Sequence, residues 1–305
     1  MIHAATSKAT PVDADELGLV DSAASNVLKK LTWANLKATL LAYFQGLFRE
    51  KLTAARTYYV RTDGSDSNNG LVDSSGGAFL TIQKAIDTVA TLDLSIYGAT
   101  IDVADATWNE NLVLKPLVGS AGVTILGNSG TPGSCVIAPT AGSCVAAGNG
   151  MLQEYTLDGF RYNAGTSGFD IVSGYGTIRL KNFTLGAVPA GFAQIYASNR
   201  AVIIASSTSY TIAGGGGYHF QAANGGSITA NASTVTVTGT PAFSSAFASA
   251  ANGSMLICAS TTFSGSATGK RYDVTMNALI QTAGAGATFF PGNASGTTAT
   301  GGEYA

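Results

Sequence analysis

The sequence predicts an all-β chain wound as a right-handed parallel β-helix of about six coils, three short strands each, behind a small hairpin-plus-helix segment. Three observations predict it. A Thr-apolar-x-Gly pattern recurs at Thr124, Thr156, Thr211, Thr236 and Thr262, with a shortened copy at Thr184. Asn199, Asn224 and Asn252 keep pace with it, each just ahead of a further apolar run. A third run precedes each of these bends: Phe169–Val172, Gln194–Ala197, Tyr218–Gln221 and Ala246–Ala248. A unit of three strands and three turns cannot bury its apolar side alone, but stacked copies can.

Four segments follow in order. Residues 1–52 differ from the rest. Glu16–Val20 and Val27–Leu31 flank the turn-forming run Asp21–Asn26, which predicts a hairpin. Thr32 suits a helix N-cap and Gly46 a helix end. Between them Trp33, Leu36, Leu40, Tyr43 and Leu47 are spaced as an a/d seam of about two heptads. That stripe can join copies of the chain or dock on a neighbouring domain, and the segment reads as an anchor and oligomerisation module.

Residues 53–95 hold an opening strand and a helix. Ile82, Ala85, Ile86 and Val89 lie at helical spacing and would cover the open end of a first coil. Residues 96–288 carry the repeats. Asn-Gly at 224–225 and 252–253 suits bends of positive φ, and Gly214–Gly217 a flexible turn or a close approach. Residues 289–305 are turn-rich and are expected to close the last coil.

Composition removes several function classes. Charged residues make up 11% of the 305, against roughly 25% in an average domain. Yet no run of about 18 apolar residues exists, so no bilayer-spanning helix is expected. Asp13, Asp15 and Glu16 interrupt the first twenty residues, so no signal peptide is read there. A net charge of −2 lacks a nucleic-acid footprint. Cys135, Cys144 and Cys258 form neither a disulfide framework nor a zinc motif, and read as buried small hydrophobes. No metal and no cofactor are indicated. From Phe183 to Ala305 the only charged residues are Asp273, Glu303, Arg200, Lys270 and Arg271.

Tyr58–Gly70, read YYVRTDGSDSNNG, followed by Gly76–Asp87, read GGAFLTIQKAID, resembles the opening of pectate-lyase-like β-helix domains in bacteriophage tail fibres and tailspikes. Thr100–Glu110 with Leu112–Pro116 is similar to that family's first full coil. Val12–Glu16 and Lys29–Trp33 resemble its short adaptor heads. The resemblance implies a virion surface spike, on a tail or a capsid vertex, made in the bacterial host cytoplasm. It implies homo-oligomers, three-fold by default with five-fold as the alternative, joined to other virion proteins through residues 1–52. It also implies binding to host surface polysaccharide, in some members with polysaccharide cleavage. No long carboxy-terminal stem follows, a departure from many tailspikes.

Hydrolysis of a glycan needs two carboxylates roughly 5–10 Å apart. Asp102, Asp105, Glu110, Glu154, Asp158 and Asp170 are the acids near the first coils, and each reads more simply as a turn cap or solvated group. His219 reads as a hydrogen-bonded core histidine, and Asp63–Asn68 as a plain turn rather than a calcium loop. Binding is therefore expected rather than chemistry, and no residue is assigned as catalytic. Trp108, Tyr162, Tyr175, Tyr196 and Tyr218, with Asn199, are the candidate glycan contacts, since sugars stack on aromatic faces and bond to neutral amides.

Overall fold

A computed structural model of the chain describes residues 8–147 and 150–305. They form two compact units, one ending at Glu50 and the other running from Lys51 to Ala305. The division falls two residues before the expected boundary. Lys51 already bridges Asp93 in the second unit, and Leu52 is buried in that unit's core.

The first unit holds the expected hairpin, Glu16–Asp21 paired antiparallel with Val27–Thr32. Asp21 accepts from the Ala23 amide to start the turn, and Ser25 and Asn26 complete it at positive φ. The Thr32 side chain accepts from the Asn35 amide, so it caps helix α1 (Trp33–Leu47) as read. The helix ends one residue past Gly46, and the Phe48 amide bonds back to the Phe44 carbonyl.

The second unit is a parallel β-solenoid of about eight turns. Its described strands form three parallel sheets of ten, seven and eight strands. Sheet one runs from Arg56–Val60 through Ala99–Val103 to Glu303–Tyr304. Sheet two runs from Ala106–Trp108 to Thr262–Ser264, and sheet three from Leu112–Leu114 to Thr297–Thr298. Side chains alternate between a buried inner face and an outer one, as a pleat requires. On sheet one the aligned inner column is Val123, Tyr155, Ile178, Ile203, Ile228, Leu256 and Ile280, all buried.

Burying one such side chain contributes about 1.5–3 kcal/mol. Ordering each backbone residue costs roughly 1–2 kcal/mol. One turn alone is therefore unstable, and stacking is what makes the segment fold.

Eight turns exceed the about six read from the repeat, because that pattern is not one repeat. Thr124 and Thr156 pair with each other on sheet one, whereas Thr184, Thr211 and Thr236 align on sheet two. Thr262 falls beside Thr234. The Thr-apolar-x-Gly pattern marks a strand running into a corner, and any corner can display it. The asparagine bends fared better: Asn199, Asn224 and Asn252 all have φ near +50° and precede sheet-one strands.

Helix α2 (Ile82–Val89) buries Ile82, Ala85, Ile86 and Val89 in the solenoid core, as expected. The run Gly214–Gly217 is a close approach, not a free turn. A Cβ at Gly214 would meet the Ala187 amide nitrogen at 2.2 Å, and Gly216 already belongs to the strand Gly216–Ala222. Residues 289–305 extend the solenoid, since Thr297–Thr298 and Glu303–Tyr304 add to sheets three and one. Phe290 is fully buried against Phe247 and Phe263.

Candidate functional site

Two of the candidate glycan contacts point inward. Trp108 is 4% exposed and gives its indole N–H to the Ala104 carbonyl. Tyr162 is fully buried, its hydroxyl without a partner among the described residues. Both stand in one inner column of sheet two, Trp108, Ile137, Tyr162, Leu185, Ile212 and Val237. Neither can present its ring to an outside ligand. Their alternation with polar neighbours was legible, but which parity faces in was not.

The other four keep at least partial exposure. Tyr196 points outward from sheet three, half-buried, its ring stacked on Phe169 at 4.8 Å. Phe192 meets Phe169 edge-on at 5.1 Å, so three rings make a ledge. Tyr218 lies in the next strand of the same sheet, in register with Ala193, and is partly exposed. Tyr175 is 43% exposed at a corner. Asn199 is exposed at its positive-φ bend, a position that turn geometry alone explains.

The candidate acids are mostly occupied. Glu110 accepts from the Ile82 and Gln83 amides, both at 3.0 Å, and so caps α2. Burial raises its carboxyl, opposed by these two bonds. Glu154 grips Arg179 through two bonds of 2.7 and 2.9 Å. Asp105 accepts from the Asn128 amide group. Asp158 accepts from the Ser129 hydroxyl at 2.7 Å and from the Asn182 amide group at 2.8 Å. Asp66, in the loop that superficially suits calcium, accepts from the Leu80 and Thr81 amides and the Thr81 hydroxyl.

Asp170 is fully buried. Its Oδ1 accepts from the Ala164 amide, and its Oδ2 has no partner among the described residues. Burial pushes its carboxyl well above the ordinary range. The Asp102 carboxylate has no hydrogen-bond partner among the described residues. It shares a concavity of about 80 Å³ with Tyr59, Arg61 and Asp73. Burial first, then the Asp73 charge, raises it.

His219 is the expected core histidine. The Tyr210 hydroxyl donates to Nε2 at 2.9 Å, and Nδ1–H donates to the Gln194 carbonyl oxygen at 2.8 Å. The Gln194 amide group donates in turn to the Gly186 and Gly214 carbonyls, which fixes that arrangement. Burial pushes the imidazole down to about 3, so it is neutral.

Sequence reading missed the outer face of sheet two. Ser209, Thr234 and Thr262 align in one outward column, and Thr184, Thr211, Thr236 and Ser264 in the next. The signal was present as Ser-x-Thr, Thr-x-Thr and Thr-x-Ser at 209–211, 234–236 and 262–264. Part of this face forms a groove of about 340 Å³, walled by Ser129, Pro132 and Asn182. A larger concavity, about 500 Å³, lies along the corner loops at Ala138–Thr140, Asn163–Thr166 and Ala187–Pro189. Its lining has fewer aligned polar side chains.

In the first unit Leu40, Tyr43 and Leu47 of the predicted seam are exposed, Leu47 by 59%, and Trp33 and Leu36 are half-buried. Leu41 and Phe44 are exposed beside them. Among the described residues no helix is long and apolar enough to cross a membrane. Neither a protein-family model nor a curated protein sequence matches this chain.

Proposed function

We propose that this chain is a virion surface spike of a bacteriophage or phage-like particle that binds host surface polysaccharide without cleaving it. In the same reading the solenoid is right-handed with three short strands per full turn, and residues 1–52 join it to the particle and to copies of itself, three-fold by default. Strand counts of ten, seven and eight in the three sheets support that winding.

One observation carries the reading: the solenoid's exterior offers aromatic and neutral hydrogen-bonding groups, while most of its candidate carboxylates, Asp102 apart, are spent on caps and clamps. Glu110, Asp66, Asp158 and Glu154 all hold backbone or side-chain partners that the fold needs. The ledge of Phe169, Phe192 and Tyr196 supplies the stacking surface. The exposed apolar stripe of α1 supports an association role for the first unit, since a helix of 15 residues gains most of its stability by packing.

A second reading, a polysaccharide depolymerase, is favoured by the raised Asp102 beside Asp73. Mixing the protein with host surface polysaccharide and following polymer size by gel filtration separates the two. Intact polymer that co-elutes with protein is the expected result. Shortened polymer, abolished by Asp102→Asn, would replace the binding reading with the enzymatic one.

A further inference from the structure

The geometry points to the walled groove on the outer face of sheet two as a binding site for an extended, uncharged polysaccharide, laid along the solenoid axis. This deepens the polysaccharide-binding reading and rests on it, and it moves the main contact away from the aromatic ledge.

The floor is built from Thr184, Ser209, Thr211, Thr234 and Thr236, each on an outward position of its strand. Neighbouring strands lie about 4.8 Å apart, so each column offers a hydroxyl at every strand. The columns run across the strands. A polymer that meets them repeatedly must therefore lie along the axis, with its own hydroxyls facing theirs. Each threonine donates and accepts, and its methyl group gives an apolar footing beside the hydroxyl.

The floor is held flat from within. Phe183, Tyr210, Val235 and Phe263 stack beneath it as one inner column, with Phe183 and Tyr210 rings 4.4 Å apart. The wall is held as well. Asp158 accepts hydrogen bonds from both Ser129 and Asn182, so one carboxylate ties the wall residues of two turns together. Gly159 lets that wall approach: at φ +84°, a Cβ there would meet the Ser129 amide nitrogen at 2.4 Å. A groove whose sides are already ordered avoids the entropy cost of ordering them on binding.

Charge selects the ligand. Among the described residues no Asp, Glu, Lys or Arg lines the groove. Arg161 pairs with Thr184 at its upper end, and Asp158 stands behind the wall with its Oδ1 accepting two bonds. A sugar carboxylate lying over Thr211 and Thr236 would lose water and find no cation, an unfavourable transfer. Neutral sugar hydroxyls lose nothing comparable. At about 340 Å³ the groove sits at the small end of ligand pockets, which suits a short stretch of a chain passing through.

The test uses the full chain on a printed panel of neutral and uronate- or sialate-containing bacterial polysaccharides. Thr211→Val with Thr236→Val removes two hydroxyls and keeps the shape. Thr236→Tyr fills the groove from an exposed position, and Tyr196→Ala removes the ledge. Melting temperatures check that each variant is folded. The expected result is binding to neutral members only, weakened about tenfold by the valine pair and by the tyrosine, and weakened less by Tyr196→Ala. Binding of acidic members as tightly, or loss in Tyr196→Ala with none in the groove variants, overturns this site and leaves the polysaccharide-binding reading standing. Wild-type protein that retains no member of the panel sinks both.

Discussion

From Lys51 to Asn182 the corners of the solenoid are tied by carboxylates as well as by asparagines such as Asn109 and Asn111, whereas from Phe183 onward they are tied almost wholly by asparagines, hydroxyls and glycines. The earlier half uses Glu110 and Asp66 at the start of α2, Asp158 between two turns, and the ion pairs Glu154–Arg179 and Asp87–Lys115. The later half uses an Asn252 amide group that donates to the Asn224 carbonyl, and Asn231 and Asn293 accepting from the Ala259 and Gly269 amides. Ser254 donates to the Ala222 carbonyl in the same way. A solenoid corner thus needs its backbone groups satisfied, by charge or by neutral polar groups alike. The chemistry differs because the helix end and the longer loops of the first turns offer unpaired amides that attract anions. The later turns repeat closely enough for like residues to stack on like. What the later half gains is an exterior with almost no charge.

The comparison breaks most sharply in the core. Phe247 is fully buried among His219, Phe243, Phe263 and Phe290 in the later half. Phe247→Ala is expected to cost about 3–5 kcal/mol in denaturant unfolding. A loss below about 1 kcal/mol would mean that the later turns are not packed as described.

The two halves also respond oppositely to pH through one buried group each. His219 has an ordinary value of 6.5 that burial lowers to about 3. The unfolded chain takes up a proton that the fold refuses, so stability falls as pH drops from about 6.5 towards 3. The loss reaches roughly 4–5 kcal/mol. His219→Gln should remove that slope even though it destabilises at neutral pH. Asp170 is raised by burial, so the folded carboxyl keeps a proton that the unfolded one releases. Its contribution is full below an ordinary carboxylate value of 3.8 and is lost as pH rises from there. Asp170→Asn should therefore raise the melting temperature at neutral pH and gain nothing at pH 3. Equal shifts at both values would show that Asp170 is not held neutral.

Corner chemistry gives the smaller effects. Glu110→Ala leaves two amides of α2 without their acceptor and should cost about 1–2 kcal/mol in thermal unfolding. In the later half Asn252→Ala puts a Cβ-bearing residue without a local hydrogen bond at φ 53° and should cost about 1 kcal/mol. A larger cost for Asn252→Ala than for Glu110→Ala would reverse the order of the two corner types.

Much of the fold was legible in the residues. The Thr32 cap, the buried stripe of α2, the hairpin and the positive-φ asparagines are local events, set by spacing and side-chain chemistry within a few residues. The number of turns was less so, because the Thr-apolar-x-Gly pattern changes sheet between Thr156 and Thr184. Of the candidate glycan contacts, Tyr196 faces outward, Tyr218 keeps partial exposure, and Trp108 and Tyr162 went inside.

The sequence by itself determined that short strands return at intervals of roughly 25 to 32 residues, that small and neutral residues shape the turns, and that residues 1–52 differ from the rest. Only the tertiary structure decided which face each strand buries, which carboxylates are consumed as caps, and which hydroxyls line up into columns. The reason is register. A period of two leaves both faces open until neighbouring turns align, and that alignment is settled by side chains about 25 residues away.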